Sequence, residues 1–376
     1  MIVIIYLFLK DMIIAFYINE MNFRGVANST FQYALYNQKI LKNRSIVFYN
    51  KNNHRNRKEV INKFKKKFKT FGVSSFKEIE DSKIKNINFI YVQKGGEKDN
   101  WVSNKIKTLV HTVYPQKLNQ IHGFKYALIS KWLSKEFYNF KVPYVPYIVE
   151  MDKTKKNLNN KLKIKKNFTV IGCHGGESSF DMQFTKDVIE KVVNNRDDLV
   201  FLFLNINKFC NHARIKFLKG TSDESYKKKF INTCDAMLYG RSLGESFGLA
   251  CAEFSIQGQT IFSYKFNRHR SHILENKKDI IEEYSSFKNL YQKLIQFKKK
   301  KFKKSINSTY KNYTSKKVMK EFKKVFLQKK KPQEIGFTEN AINFYGHFSM
   351  GILYLKHKIY NHYYRLIEKN LFNKNI

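Results

Sequence analysis

Four cysteines in 376 residues, Cys173, Cys210, Cys234 and Cys251, show no CxxC pair or other metal-ligand spacing, which argues against a disulfide scaffold and a thiolate metal site. Three of them lie among apolar or small residues, as buried thiols in a reducing compartment do. The ten histidines form no HExxH or comparable cluster, so no metal site is expected. Acidic residues are scarce as well: 30 Asp plus Glu face 71 Lys plus Arg, a formal charge of +41. That excess favours an anionic partner such as a nucleotide, a nucleic acid or an acidic lipid. Codon usage is a second origin, because the chain is also crowded with Asn, Ile, Phe and Tyr, residues encoded by A- and T-rich codons. A long apolar run is missing too. The opening "MIVIIYLFLKDMIIAFYINEM" is split by Lys10 and Asp11, follows no basic region and precedes no small-residue cleavage site. It reads as a strand at about Met12 to Asn19 behind an eleven-residue extension, with an interfacial anchor as the alternative.

What is present is a chain long enough for two domains, 43% hydrophobic and therefore not of disordered composition. Strand-length apolar runs alternate with helical spacing: "STFQYALYNQKIL" as helix, then "SIVFYN", "INFIYVQ" and "IKTLVHTVY" as strands, then the helix-like "GFKYALISKWLS". After a polar stretch within Val142 to Asn167 the alternation restarts with "FTVIGCHGG", "DMQFTKDVIEKVVNN", "DLVFLFLNI", "ARIKFL", "SDESYKKKFINTCD", "AMLYG" and "QTIFSY". Two such units predict an α/β protein of two doubly wound parallel-sheet domains facing each other across a cleft. The expected boundaries are residues 12–150, a linker at 151–166, a second domain at 167–330 and a basic, aromatic helical tail at 331–376.

One stretch carries chemistry. In "YGRSLGESFGLACAEFSIQG" the strand before Gly240 leads through a loop into a helix expected from about Phe247 to Gln257, where Gly258 stops it. The free amides of residues 246–249 and the positive end of that helix would face the cleft and suit a phosphate. Gly244 and Gly248 would let a ligand come close to the backbone. Glu245 and Glu253, eight positions apart, would reach one ligand from two heights. A carboxylate accepts hydrogen bonds from vicinal hydroxyls, as on a ribose or hexose. The plainer reading is a helix N-terminal glutamate and a solvated one.

Ile215 to Tyr264 resembles the donor-binding half of retaining, nucleotide-sugar-dependent glycosyltransferases of the GT-B fold, the group-1 or family-4 type, whose E-x7-E motif is matched by Glu245 and Glu253. The resemblance implies two Rossmann-like domains with C-terminal helices. It also implies that Glu253 holds the nucleotide ribose, while Glu245, Ser246, Phe247, Gly248 and Leu249 contact sugar and phosphates. More weakly, "INEMNFRGVANSTFQYALYNQKIL" is similar to the first strand, loop and helix of the acceptor domain, with Arg24 and Gly25 at the strand's end. His111 falls where such enzymes often carry a histidine near the transferred sugar; ordinary polar lining is the other reading. The family's diphosphate-binding Arg and Lys are absent, and Cys173 and Ser178 stand at those positions. His174 with the Gly175-Gly176 turn can form an amide nest, unless the turn is an ordinary one. Arg241 or Lys186 can supply charge.

Three lysine runs, 62–71, 297–304 and 328–333, read either as an anionic-partner surface or as solvated helix faces. The tail from Phe337 reads as a helix packed on the body or lying on a membrane. The resulting expectation is a cytosolic glycosyltransferase, in peripheral contact with an anionic inner membrane face in one version. It would need no cofactor beyond the nucleotide-sugar donor, use a glycan or lipid-linked acceptor, and bind no nucleic acid. Two alternatives are a GT-B-like sugar-nucleotide binder that has lost turnover and, further off, a basic nucleic-acid-binding protein.

Overall fold

Strand runs that are apolar at every position, such as IIAFYI and LVFLFL, must be covered on both faces, and both are buried throughout. The computed structural model describes residues 12–151, 156–276, 280–299, 308–328 and 336–373. In the first domain β1 (Ile13–Ile18), α1 (Gly25–Lys39), β2 (Arg44–Asn50), α2 (Lys58–Lys65), β3 (Lys69–Val73), α3 (Lys77–Glu80), β4 (Ile87–Lys94), β5 (Lys107–Thr112), β6 (Lys125–Leu128) and α4 (Lys131–Tyr138) follow one another. Their six strands form one parallel sheet in the order β3-β2-β1-β4-β5-β6. The second domain runs through α5 (Asn159–Leu162), β7 (Thr169–His174), α6 (Gln183–Asn195), β8 (Leu199–Leu204), β9 (Ile215–Leu218), α7 (Glu224–Thr233), β10 (Ala236–Tyr239), β11 (Gly244–Glu245), α8 (Leu249–Ile256), β12 (Thr260–Tyr264), β13 (His269–Arg270), α9 (Ser271–Leu274), β14 (Ile281–Tyr284) and α10 (Phe287–Gln296). Its main sheet, β14-β12-β10-β7-β8-β9, repeats the winding of the first domain read from the other edge. In each sheet the order reverses beside the first strand, which opens a crevice at the carboxyl ends of β1 and β4 and of β7 and β10.

Several expectations need correction. "GFKYALISKWLS" is not one helix: Lys125–Leu128 pairs with β5 and buries Tyr126 to Leu128, and α4 begins only after Ser130, whose side chain accepts from Leu133 N–H. A short apolar run does not distinguish strand from helix by its period. The 62–71 run holds the end of α2 and the edge strand β3. Phe64 and Phe68 pack edge-on against Phe31, with ring centroids 5.0 and 5.4 Å away; Lys65, Lys66, Lys67 and Lys69 face outward, the last on the edge strand where it discourages edge pairing, while Lys63 turns into the cleft. Residues 300–304 and 329–333 of the other two runs lie outside the described residues.

The chain also crosses back. Residues 308–328, expected in the second domain, place Tyr310, Tyr313, Met319, Phe322 and Phe326 in the core of the first, through α11 (Ser315–Phe322) and a wider turn of helix at Lys323–Leu327. The linker's second half already belongs to the second domain, where Leu158 is buried and donates its N–H to Thr233 Oγ1 at 2.8 Å. The tail helix α12 (Phe337–Tyr363) packs on the body and touches both domains. Asn343 Nδ2 donates to Gln116 O and Phe137 O, while Tyr360 OH accepts from Phe287 N–H at 2.6 Å.

Candidate functional site

The facing strand ends enclose a cavity of about 730 Å³. Glu20, Arg24, Gly25, Lys94, Asp99, Trp101 and Tyr114 line it from the first domain; Cys173 to Gly176, Ser178, Lys227, Arg241, Glu245 to Ala250 and Glu253 line it from the second.

The glutamate loop is held by a two-rung parallel ribbon, Gly244 opposite His269 and Glu245 opposite Arg270. Its glycines serve that packing. At Gly244, φ is +77° and a Cβ would lie 2.1 Å from His269 O; at Gly248, φ is +84° and a Cβ would meet the His272 Cβ at 2.8 Å. They therefore make the turn possible, and both also line the cavity. α8 starts at Leu249, two residues later than expected, and its first-turn amides open toward the cavity. Phe247 packs its ring 4.8 Å from Tyr147, and its carbonyl accepts from Tyr310 OH at 2.6 Å, so only its backbone N–H is left to a ligand.

Glu253 is buried at 6% exposure one turn into α8, and it is not solitary. Its Oε1 accepts from Lys227 Nζ at 2.6 Å, and its Oε2 lies 2.9 Å from His174 Nε2. The two atoms face each other as an ion-pair contact and have no other partner, in a buried position on the cavity wall. Burial raises the carboxyl's pKa, but the Lys227 charge and then His174 outweigh it and hold it at about 2. Lys227 also bonds Glu224, which Lys63 of the first domain reaches at 3.0 Å. Glu245 differs: it is less buried, and its Oε1 accepts from Tyr239 OH at 2.7 Å and Arg241 Nη1 at 3.3 Å.

The glycine turn after β7 is the other half of this wall. A Cβ on Gly175 would lie 2.5 Å from Ser179 Oγ, and one on Gly176 would lie 3.0 Å from Arg24 Nε. The domains thus touch at the turn, and a first-domain guanidinium lies against it, beside the buried Cys173 and the cavity-lining Ser178. Gly25 opens α1 on the opposite wall, with nothing within 4 Å of a would-be Cβ.

Two candidates are not at the site. His111 is fully buried, and its Nε2 donates to Leu128 O at 3.2 Å, so its Nδ1 accepts from Tyr91 OH at 2.6 Å. Burial lowers its pKa to about 3 and keeps it neutral. A strand-end histidine has two faces to choose from, and this one faces the core. Lys186 places its ammonium 5.7 Å from the Phe209 ring centre, away from the cavity. Conversely, the sequence reading missed Lys227, although its spacing to Phe230 and Ile231 puts it on the buried face of α7. It also missed Lys94, whose buried ammonium donates to Asp99 and, at 3.0 Å, to His122 Nε2. Among the described residues no group of three His, Cys, Asp or Glu is arranged to hold a metal ion.

No protein-family model matches the chain, and no curated protein matches its sequence. Solved structures do resemble it in shape. A glycosyltransferase from Rickettsia africae is 13% identical with a TM-score of 0.58, over 94% of this chain and 98% of that one. HepE from Anabaena, in complex with UDP-glucose, is 11% identical with a TM-score of 0.56, over 90% and 99%. MnaA from S. aureus, solved with UDP, is 14% identical with a TM-score of 0.52, over 86% and 100%. At such identities the likeness is one of fold: two parallel six-stranded sheets, helix-covered, in the GT-B arrangement.

Proposed function

We propose that this GT-B chain is a glycosyltransferase that moves a hexose from a nucleoside-diphosphate donor to a glycan or lipid-linked acceptor. The observation that carries the reading is Glu253: a buried carboxylate and His174, each with bonding capacity left, on the same cavity wall as the start of α8 and the Gly175-Gly176 turn. The neighbours bound to UDP-glucose and UDP support that donor class.

In this reading Glu253 Oε2 accepts from the ribose hydroxyls. The diphosphate lies between the α8 amides at Ser246 to Leu249 and the glycine turn, where Arg24 and Arg241 stand in for the Arg and Lys that Cys173 and Ser178 replace. Glu245 positions Arg241 and Tyr239 beside the sugar. As the anomeric carbon–oxygen bond breaks, charge grows on the departing diphosphate and is met by these cations and amides. The acceptor oxygen then forms its bond to the anomeric carbon, and its proton passes to the departing diphosphate oxygen; the family resemblance implies retention of configuration. Lys94, Asp99 and Trp101 form the acceptor side, and the four free thiols fit a reducing compartment such as the cytosol.

A binder without turnover is the second reading, favoured by the buried Cys173 and by Ser178. Thermal stabilisation by UDP-, GDP- and ADP-sugars, followed by assay of nucleotide release, separates the two. Stabilisation with slow release of the diphosphate is expected; stabilisation without release selects the binder, and no stabilisation overturns the site.

A further inference from the structure

We infer that α12 seats the protein on an anionic membrane surface. The helix has two opposite faces. Asn343, Gly346 and Met350 turn inward, whereas Phe344, Phe348, Leu355 and Ile359, with Leu366 in the wider helical turn that continues α12 (Tyr364–Glu368), recur at steps of four and seven, a single line along the helix. These five are 72%, 54%, 58%, 61% and 58% exposed. No described segment covers them, and the helix is ~40 Å long.

Charge selects the occupant. The two acidic residues of 336–373, Glu339 and Glu368, are buried, so the exposed charges of this element are Lys356, Lys358, Arg365 and Lys369. An apolar line flanked by cations matches the boundary of an acidic bilayer, apolar below and anionic at the headgroups. A second copy would set one cationic rim against another on a chain of charge +41. No described helix is long and apolar enough to cross the membrane, so the helix would lie along the surface. It is also pre-ordered: hydrogen bonds to Gln116 O and Phe137 O fix one end on the first domain, and those of Tyr360 OH and Tyr364 OH fix the other on the second. Seating therefore costs little ordering and would turn both domains to the membrane together.

The test is co-sedimentation of the full chain with vesicles of phosphatidylcholine alone and with 30% phosphatidylglycerol (both probe compositions chosen for the headgroup charge, on the order of the acidic fraction that attracts basic segments). Binding to the acidic vesicles only, falling as salt rises, is expected. Phe348→Ser with Leu355→Ser and Ile359→Ser should lower that binding on the order of tenfold or more while the melting temperature holds, since these side chains touch little of the body. Lys356→Glu with Lys358→Glu, which keeps the apolar line, should weaken it on the order of tenfold as well. Equal binding by the serine variant, no binding by the wild type, or a wild-type dimer that the serine variant dissociates would each overturn the proposal.

Discussion

The two walls of the cleft come from sheets of the same winding, yet they are built differently. The second-domain wall gathers Arg241, Glu245, the start of α8 and Glu253 from one short stretch, braced by Lys227 and His174. The first-domain wall collects Glu20 and Arg24 from the loop after β1 and Lys94 and Asp99 from the end of β4 and the loop after it, two strands far apart in the chain. A site made of consecutive residues can be read as a spacing. One made of strand ends appears only when the sheet has been assembled.

The largest expected break in this comparison is at Glu253. Glu253→Gln should weaken nucleotide binding by about 1.5–3 kcal/mol, the range for hydrogen bonds to a charged group, as measured by titration calorimetry. It should also cost about 3 kcal/mol of stability, the low end for stripping one member of a buried ion pair, because Glu224 still faces Lys227. The pH dependence has a definite sign. The folded pKa of about 2 lies below the ordinary 4.5, so the glutamate's contribution is complete above 4.5 and is lost as pH falls toward 2. The wild type should lose stability across that window more steeply than the glutamine variant in denaturant melts. Equal slopes would show that Glu253 is unpaired in solution.

Next in size is His111 on the other side. His111→Phe removes the acceptor of Tyr91 OH and the donor to Leu128 O, and should cost about 2 kcal/mol of stability. Donor affinity and turnover should stay at wild-type values, because the side chain faces the core. A fall in turnover at unchanged melting temperature would return it to the site. Glu245→Gln should act in the opposite sense: turnover falls about tenfold, roughly 1.4 kcal/mol, with nucleotide affinity nearly constant, since its partners are Arg241 and Tyr239.

Legibility follows the same division. The α/β alternation, strands such as β8 and the end of α8 at Gly258 were readable because burial on both faces and helix stops leave local marks. β6 was not, because four residues cannot show a period, and neither was the return of residues 308–328 to the first core, which depends on where the chain goes after it leaves the sheet. At the site, Glu245 and Glu253 were legible by spacing. Their surroundings were not: Lys227 comes from α7, and Arg24 comes from the other domain.

The smallest expected effect sharpens the comparison most, because it asks which wall supplies the cations. Lys186 lies on α6, in the domain where the family resemblance places the diphosphate-binding pair, but its ammonium sits over the Phe209 ring. Lys186→Ala should therefore cost only about 0.5 kcal/mol of stability, the value of an exposed cation–π contact, and leave nucleotide affinity within about twofold. Arg24 belongs to the first domain and lies against Gly176, so Arg24→Ala should reduce affinity for a nucleoside diphosphate more than for the nucleoside. Should the lysine matter and the arginine not, the diphosphate is held by the second wall alone, and the domains need not meet for the donor to bind.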